Sequence, residues 1–152
     1  MSRKKETKPR LDVTGTLPMT GLIFVYGTLK RAYRNYEHTI KGAKFVGEAT
    51  TLEPYPMVCS EIPFLYNIPG KGHIVKGEVF NITNPDMMEQ MDRLESHPHG
   101  YRRTPFKVKL QDGKVIDVFV YFVESYRRDF NDDMLRDCKS EFHNPGAMTK
   151  SE

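Results

Sequence analysis

The first twenty residues, Met1 to Thr20, show neither helical nor strand periodicity and read as a tail. Order then appears as short apolar runs. Leu22-Ile23-Phe24-Val25-Tyr26 is a buried-strand pattern that predicts a strand over about Gly21 to Tyr26, ending at Gly27-Thr28. The polar stretch LKRAYRNYEHTI predicts a short helix, and AKFVGEATTLE a second strand. PYPMVCSEIPFLYNIPGKG is broken by four prolines and predicts short extended pieces joined by turns. HIVKGEVFNI alternates, with Val75, Gly77 and Val79 on one side and Lys76, Glu78 and Phe80 on the other. YRRTPFKVKL and KVIDVFVYFV flank QDGK, where Asp112-Gly113 signals a hairpin. In the second of these strands Ile116, Val118, Val120 and Phe122 form an apolar face. Asp117, Phe119 and Tyr121 form a mixed face suited to the border of a pocket. After Glu124 the pattern turns polar, with a short helix expected near Asp132–Asp137.

The clearest helix is TNPDMMEQMDRLE. Thr83 or Asn84 can cap it, Pro85 suits its first turn, and Asp86 complements its positive end. On a wheel with Met87 at zero, Leu94 falls at about −20°, Met91 at about 40° and Met88 at about 100°. Asp86, Glu89, Asp92 and Arg93 fall outside this stripe, between about 140° and 260°. Glu95 falls at about 80°, inside it. Pro98 disfavours helical geometry at His97, so the helix is expected to end near Glu95. A carboxyl there meets the negative end of the helix dipole. That field and partial burial both favour the protonated form, the tuning a general base needs near neutral pH. The alternative is a helix that frays one residue early and turns Glu95 to water. Gly27-Thr28 is similarly two-sided. Free amides after a strand can cradle a carboxylate, yet purely structural glycine turns are far commoner.

Strands outnumber helices and the helices are segregated, so the class is α+β, with a small curled sheet or barrel packed on the long helix. The 152 residues suffice for one core. The expected organisation is a basic, disordered arm over 1–20, a folded domain over 21–124, and a tail over 125–152 that packs on or extends it. The net charge of +3 sits in the arm: residues 1–10 hold five basic residues against Glu6, a net +4, which leaves the remainder at −1. No basic stripe covers the folded part, which argues against a nucleic-acid partner. No apolar run approaches the ~20 residues of a membrane span. The basic N-terminus lacks the apolar stretch of a secretory signal. Cys59 and Cys138 make no disulfide framework, so a reducing, cytoplasmic setting is expected. Cys59 lies among apolar residues and reads as core. His97 and His99 make half a metal site with no further ligands nearby, and read as a polar exit loop.

FVYGTLK, TLEPYP, GKGHIVKGEVF and MDRLESHPHGYRR, in this order, resemble the γ-glutamylcyclotransferase-like (AIG2-like) family, closest to its γ-glutamylamine cyclotransferase branch. The similarity runs from about Leu22 to Tyr121. It implies a small mixed β-barrel with a few flanking helices. It also implies an activity: cyclisation of a γ-glutamyl amine or γ-glutamyl amino acid, such as γ-glutamyl-ε-lysine, to 5-oxoproline with release of the amine. The resemblance implies no cofactor and no metal, a small-molecule partner, and a monomer. It assigns Glu95 as catalytic base, Tyr26, Gly27, Thr28 and Leu29 as the glutamyl cradle, and Tyr101 and Tyr121 as further substrate-binding residues. Two other readings stand beside it. One is a catalytically silent binding or interaction module on the same fold. The other is an interaction protein built on the basic arm. If the arm is accessory, deleting residues 1–20 leaves activity intact.

Overall fold

The computed structural model describes residues 10–26, 40, 42–59 and 63–123. The helices expected in LKRAYRNYEHTI and near Asp132–Asp137, the Gly27-Thr28-Leu29 turn and Cys138 lie outside the described residues, apart from Ile40, which is buried. In chain order the elements are β1 (Gly21–Val25), β2 (Lys44–Thr51), β3 (Met57–Cys59), β4 (Pro63–Leu65), β5 (Lys76–Ile82), α1 (Pro85–Leu94), β6 (Tyr101–Leu110) and β7 (Val115–Val123).

Five strands form one curled sheet in the order β1-β5-β2-β6-β7. Its pairings are antiparallel until it closes on itself, where β7 meets β1 in parallel at Ile23 and Phe119. β3 and β4 form a separate two-stranded sheet. The Asp112-Gly113 hairpin forms as expected. Gly113 takes φ +92° and the Asp112 carboxylate accepts the Lys114 N–H at 2.9 Å. That turn sets the β6–β7 register, which places Arg103 opposite Tyr121.

Period-two alternation divides the burial into two layers. Val75, Val79, Val108, Val118, Val120 and Phe122 fill the interior with Phe24 and Tyr26. Ile23, Val25, Phe80, Ile82 and Tyr121 point the other way and are covered by Met88 and Met91 of α1. Both faces of β1 are thus buried from Ile23 to Val25, which is why its run reads as nearly continuous. Gly77 marks the close approach of β5 to β1: a Cβ there would stand 2.3 Å from the Val25 carbonyl oxygen and 2.8 Å from the Phe24 ring.

Residues 10–20 are not a free arm. Leu11 and Pro18 pair across a small loop, and Met19 is buried beside α1. Arg10 pairs with Asp86 at 2.8 Å and also with Glu89. Asp12 is the loop's organiser. Its Oδ1 accepts from the Thr14 hydroxyl at 2.7 Å and from the N–H groups of Leu17 and Thr16 at 3.1 and 3.3 Å. Its Oδ2 receives His97 Nε2–H at 2.6 Å, with both side chains sealed from solvent. A tail lacking hydrophobic periodicity can dock in this way because one carboxylate, not an apolar stripe, anchors it. Burial alone would raise the Asp12 pKa, but the hydrogen bonds from His97, Thr14, Leu17 and Thr16 together hold it well below the usual carboxylate range.

Two outcomes follow for stability. Gly77→Ala is expected to lose about 1–3 kcal/mol by overpacking, measured as a lower urea midpoint; an unchanged midpoint would mean that β1 and β5 do not approach this closely. For Asp12 the folded pKa is depressed, so its contribution is complete above the unfolded value of about 3.9 and is lost as pH falls below it. Asp12→Asn is therefore expected to cost about 2 kcal/mol at pH 7, with the gap from wild type narrowing in melts taken from pH 4 towards pH 2. A gap independent of pH would show that the carboxylate charge is not what holds the loop.

Candidate active site

α1 is built by local rules. The Asn84 side chain accepts the Asp86 N–H at 2.9 Å as N-cap, and Pro85 takes the first turn, where its missing N–H costs nothing. Its rotation is not the one that apolar residues alone predict. Leu94, placed in the core stripe by the wheel, is 47% exposed, whereas Asp92, placed outside it, is buried. The covered arc runs from Met91 at about 40° to Asp92 at about 140°, so Glu95, at about 80°, lies near its middle.

The reason lies in β6. Arg103 is buried and grips Asp92 with two bonds, Nε to Oδ1 at 2.8 Å and Nη2 to Oδ2 at 3.1 Å. Asp92 Oδ1 also accepts the Tyr121 hydroxyl at 2.6 Å. The remaining guanidinium contacts are to the Pro18 carbonyl at 2.8 Å and the Met19 sulfur at 3.3 Å, and the group lies 4.7 Å from the centre of the Phe119 ring. A buried carboxylate with this many donors is compensated, so α1 turns its charged edge inward.

Glu95 is the C-cap residue of α1. Its carbonyl accepts the Tyr101 N–H at 2.8 Å, and Ser96 takes φ +57°, so the chain reverses at once into β6. Gly100 permits this, since a Cβ there would lie 2.8 Å from the Glu95 carbonyl oxygen. The residue keeps some solvent contact, but its carboxyl is deep. Burial, and then the neighbouring Asp92 carboxylate, raise its pKa to about 7. Partial burial of Glu95 is thus reached, rather than the frayed, water-facing alternative.

Tyr26, at the end of β1, is buried, and its hydroxyl donates to the Tyr121 carbonyl at 2.6 Å. Burial raises its pKa well above the ordinary value. Tyr101 and Glu95 add to the rise, and a hydrogen bond from the Leu65 backbone opposes it. Tyr121 is raised well above the ordinary value too, by burial first, then by Asp92 and its hydrogen bond, with Arg103 opposing and Glu95 adding. Tyr26, Glu95, Tyr101 and Tyr121 therefore meet in one place, arriving from β1, α1, β6 and β7. The hydroxyls of Tyr26 and Tyr121 are already engaged by protein groups, and both lie within electrostatic reach of the Glu95 carboxyl. Gly27, Thr28 and Leu29 follow Tyr26 directly but lie outside the described residues.

Sequence reasoning missed four residues here: Asp12, Asp92, His97 and Arg103. His97, read as part of a polar exit loop, is buried. It donates to Asp12 and its Nδ1 accepts the Arg103 N–H at 3.0 Å. The hairpin register offered one signal. Counting back from Asp112-Gly113 sets Arg103 against Tyr121, on the face already marked as mixed.

Known proteins are similar to this chain in sequence and in fold. A γ-glutamylaminecyclotransferase of Bos taurus is 41% identical over 112 residues, 68% of this chain and 66% of the relative. The B form of Danio rerio is 38% identical over 120 residues, 72% of this chain and 62% of the relative. The matched part of the chain thus spans a little under two thirds of these two relatives. The crystal structure of an AIG2-like protein from Mus musculus superposes with a TM-score of 0.69 at 30% identity, covering 88% of this chain and 96% of that one. Residues 23–140 match the family described as γ-glutamyl cyclotransferase, AIG2-like, and the chain belongs to that family.

Proposed function

We propose that this protein is a γ-glutamylamine cyclotransferase that converts a γ-glutamyl amine, such as γ-glutamyl-ε-lysine, to 5-oxoproline and the free amine. The observation that carries the reading is the Glu95 carboxyl. It is tuned to about 7 and is set against Tyr26, the residue that leads directly into Gly27-Thr28-Leu29. The relatives named γ-glutamylaminecyclotransferase support the substrate class.

The substrate carries its own nucleophile, the α-amine, and closure of a five-membered ring requires no second molecule. Holding the glutamyl chain curled supplies the proximity term. Glu95 as carboxylate takes a proton from the α-ammonium. The amine attacks the γ-carbonyl carbon, and the new C–N bond closes the ring. As the old amide C–N bond breaks, the protonated Glu95 gives its proton to the departing nitrogen; the ring nitrogen then yields its second proton through the freed carboxylate to the released amine, which leaves as an ammonium. Atoms balance without water. A pKa near 7 suits a group that must act first as base and then as acid. The amides of Gly27, Thr28 and Leu29 are assigned to the substrate α-carboxylate or to the oxyanion. Tyr101 and Tyr121 are assigned to the pocket wall. Among the described residues no helix is long and apolar enough to cross a membrane. A small polar substrate fits a cytoplasmic site of action.

Glu95→Gln is expected to abolish 5-oxoproline release from γ-glutamyl-ε-lysine while the protein still folds; near-normal turnover would remove the base assignment. Since the base must be ionised, the wild-type rate is expected to fall as pH drops through about 7. A limb near the ordinary carboxylate value of about 4.3 would contradict the burial of this group. Stability should move the opposite way from activity. A carboxyl whose folded pKa is raised is stabilising at low pH, and that advantage is lost as pH climbs from the unfolded value through about 7. At pH 8 Glu95→Gln is therefore expected to be more stable than wild type, by up to about 3 kcal/mol, with no such gain at pH 4. A variant less stable than wild type at pH 8 would show that the charge is not strained by its surroundings.

A further inference from the structure

Glu95 stands between two buried anchors, and both lead to residues 10–20. Three residues before it, Asp92 is held by Arg103, whose guanidinium also binds the Pro18 carbonyl and the Met19 sulfur. Two residues after it, His97 is held by Asp12 on one side and the Arg103 N–H on the other. The His97 N–H closes the loop by donating to the Asp92 carbonyl at 2.9 Å. The imidazole tautomer is fixed by its partners: Nε2 must carry the proton it gives Asp12, and Nδ1 must be bare to accept from Arg103. The Asp12 carboxylate is in turn fixed by Thr14, Thr16 and Leu17 within its own loop.

We propose that residues 10–20 are a positioning element of the active site, in which Asp12 acting through His97, and Pro18 and Met19 acting through Arg103 and Asp92, fix the chain on both sides of Glu95. The proposal rests on Glu95 being the base. The segment touches no substrate in this role. It sets where the carboxyl sits and how much water reaches it. The turn after Glu95 is tied within itself by backbone bonds, from Ser96 N–H to Arg93 and from His99 and Gly100 N–H to Ser96, but Ser96 and His99 are exposed and Pro98 only partly covered, so the buried His97 imidazole is the side chain that links it to the N-terminal segment. Without His97 pinned to Asp12, the reversal from α1 into β6 loses its buried polar contact to the N-terminal segment. The segment read from sequence as an accessory arm thus belongs, from residue 10 onward, to the catalytic apparatus.

Among the described residues, the groups whose charges or dipoles bear on Glu95 are Asp92 on its own helix, Tyr26 from β1, Tyr101 from β6 and Tyr121 from β7, with Arg103 of β6 facing Asp92. None of these is altered by changing Asp12 or His97. A shift of the acid limb in such variants therefore reports movement or hydration of Glu95 itself.

The test compares Asp12→Ala, His97→Ala, His97→Gln and His97→Asn in the full chain with γ-glutamyl-ε-lysine, measuring kcat, KM and the acid limb per folded molecule. Gln can keep the donor to Asp12 and Asn the acceptor for Arg103, so each restores half of what Ala removes. Val108→Ala, which weakens a core cluster other than the one that holds Met19, is the control for stability alone. Expected for Asp12→Ala and His97→Ala is a fall in kcat of about 10-fold to 100-fold, with KM little changed and the acid limb moved from about 7 towards the ordinary carboxylate range. His97→Gln and His97→Asn are expected to fall between wild type and His97→Ala, and Val108→Ala to keep the wild-type limb. An unmoved limb in the folded variants overturns the proposal, whatever the rate. Should either alanine variant fail to fold, the Gln and Asn variants decide by the same readout. Near-normal turnover by Glu95→Gln would instead remove the base, and this proposal with it.

Discussion

A guanidinium and a carboxylate taken out of water together lose hydration worth several kcal/mol each, and only close, well-aimed bonds restore it. Arg103 and Asp92 meet that condition. Their bidentate contact, completed by the Tyr121 hydroxyl and by Pro18, decides how the rest of the site is arranged. It turns α1 so that a charged edge faces the sheet and Leu94 faces solvent. With α1 in that rotation, Glu95 falls in the middle of the covered arc. The buried negative charge of Asp92 then acts at short range on Glu95, adding to the effect of burial. One ion pair therefore sets both the orientation and the proton affinity of the proposed base.

The scaffold around this pair was largely legible. The Asp112-Gly113 turn, the alternation in β5 and β7, and the capped helix at Asn84-Pro85 all depend on local rules, and each formed within two or three residues of its expected bounds. Glu95 was legible because a carboxylate in an apolar stripe is a local anomaly. The partners that bury it were not. A wheel assigns charged residues to solvent, and it can reverse that for Asp92 only if a guanidinium is known to wait on the sheet. Arg103 in YRRTPFKVKL resembles any strand cation until the hairpin register sets it against Tyr121. Asp12 and His97 lie 85 positions apart in sequence, and no periodicity relates a loop carboxylate to an imidazole at that distance. The tail expected over 1–20 was misjudged from residue 10 onward for the same reason: hydrogen bonds, not apolar spacing, hold it.

The site's division of labour is physically simple. The sheet brings Tyr26 and Tyr121, from β1 and β7, within electrostatic reach of Glu95 with their hydroxyls already bonded within the protein. α1 delivers the carboxyl at its C-terminal end, where the helix dipole adds to the pull towards the protonated form. The backbone reversal at Ser96 and Gly100 brings Tyr101 to the same place. Each part costs stability: a buried carboxyl, a left-handed Ser96, a desolvated ion pair. The packed β6–β7 hairpin and the two-sided core of β1 and β5 supply the margin that makes such a site possible.

The fold holds Glu95 where burial and the Asp92 carboxylate bring its titration to about 7. Its carboxyl carbon, observed by carbon-13 NMR across a pH series and assigned by loss of the signal in Glu95→Gln, measures this without substrate or turnover. The expected result is a single-site midpoint near 7. A midpoint at the ordinary carboxylate value of about 4.3 would contradict it.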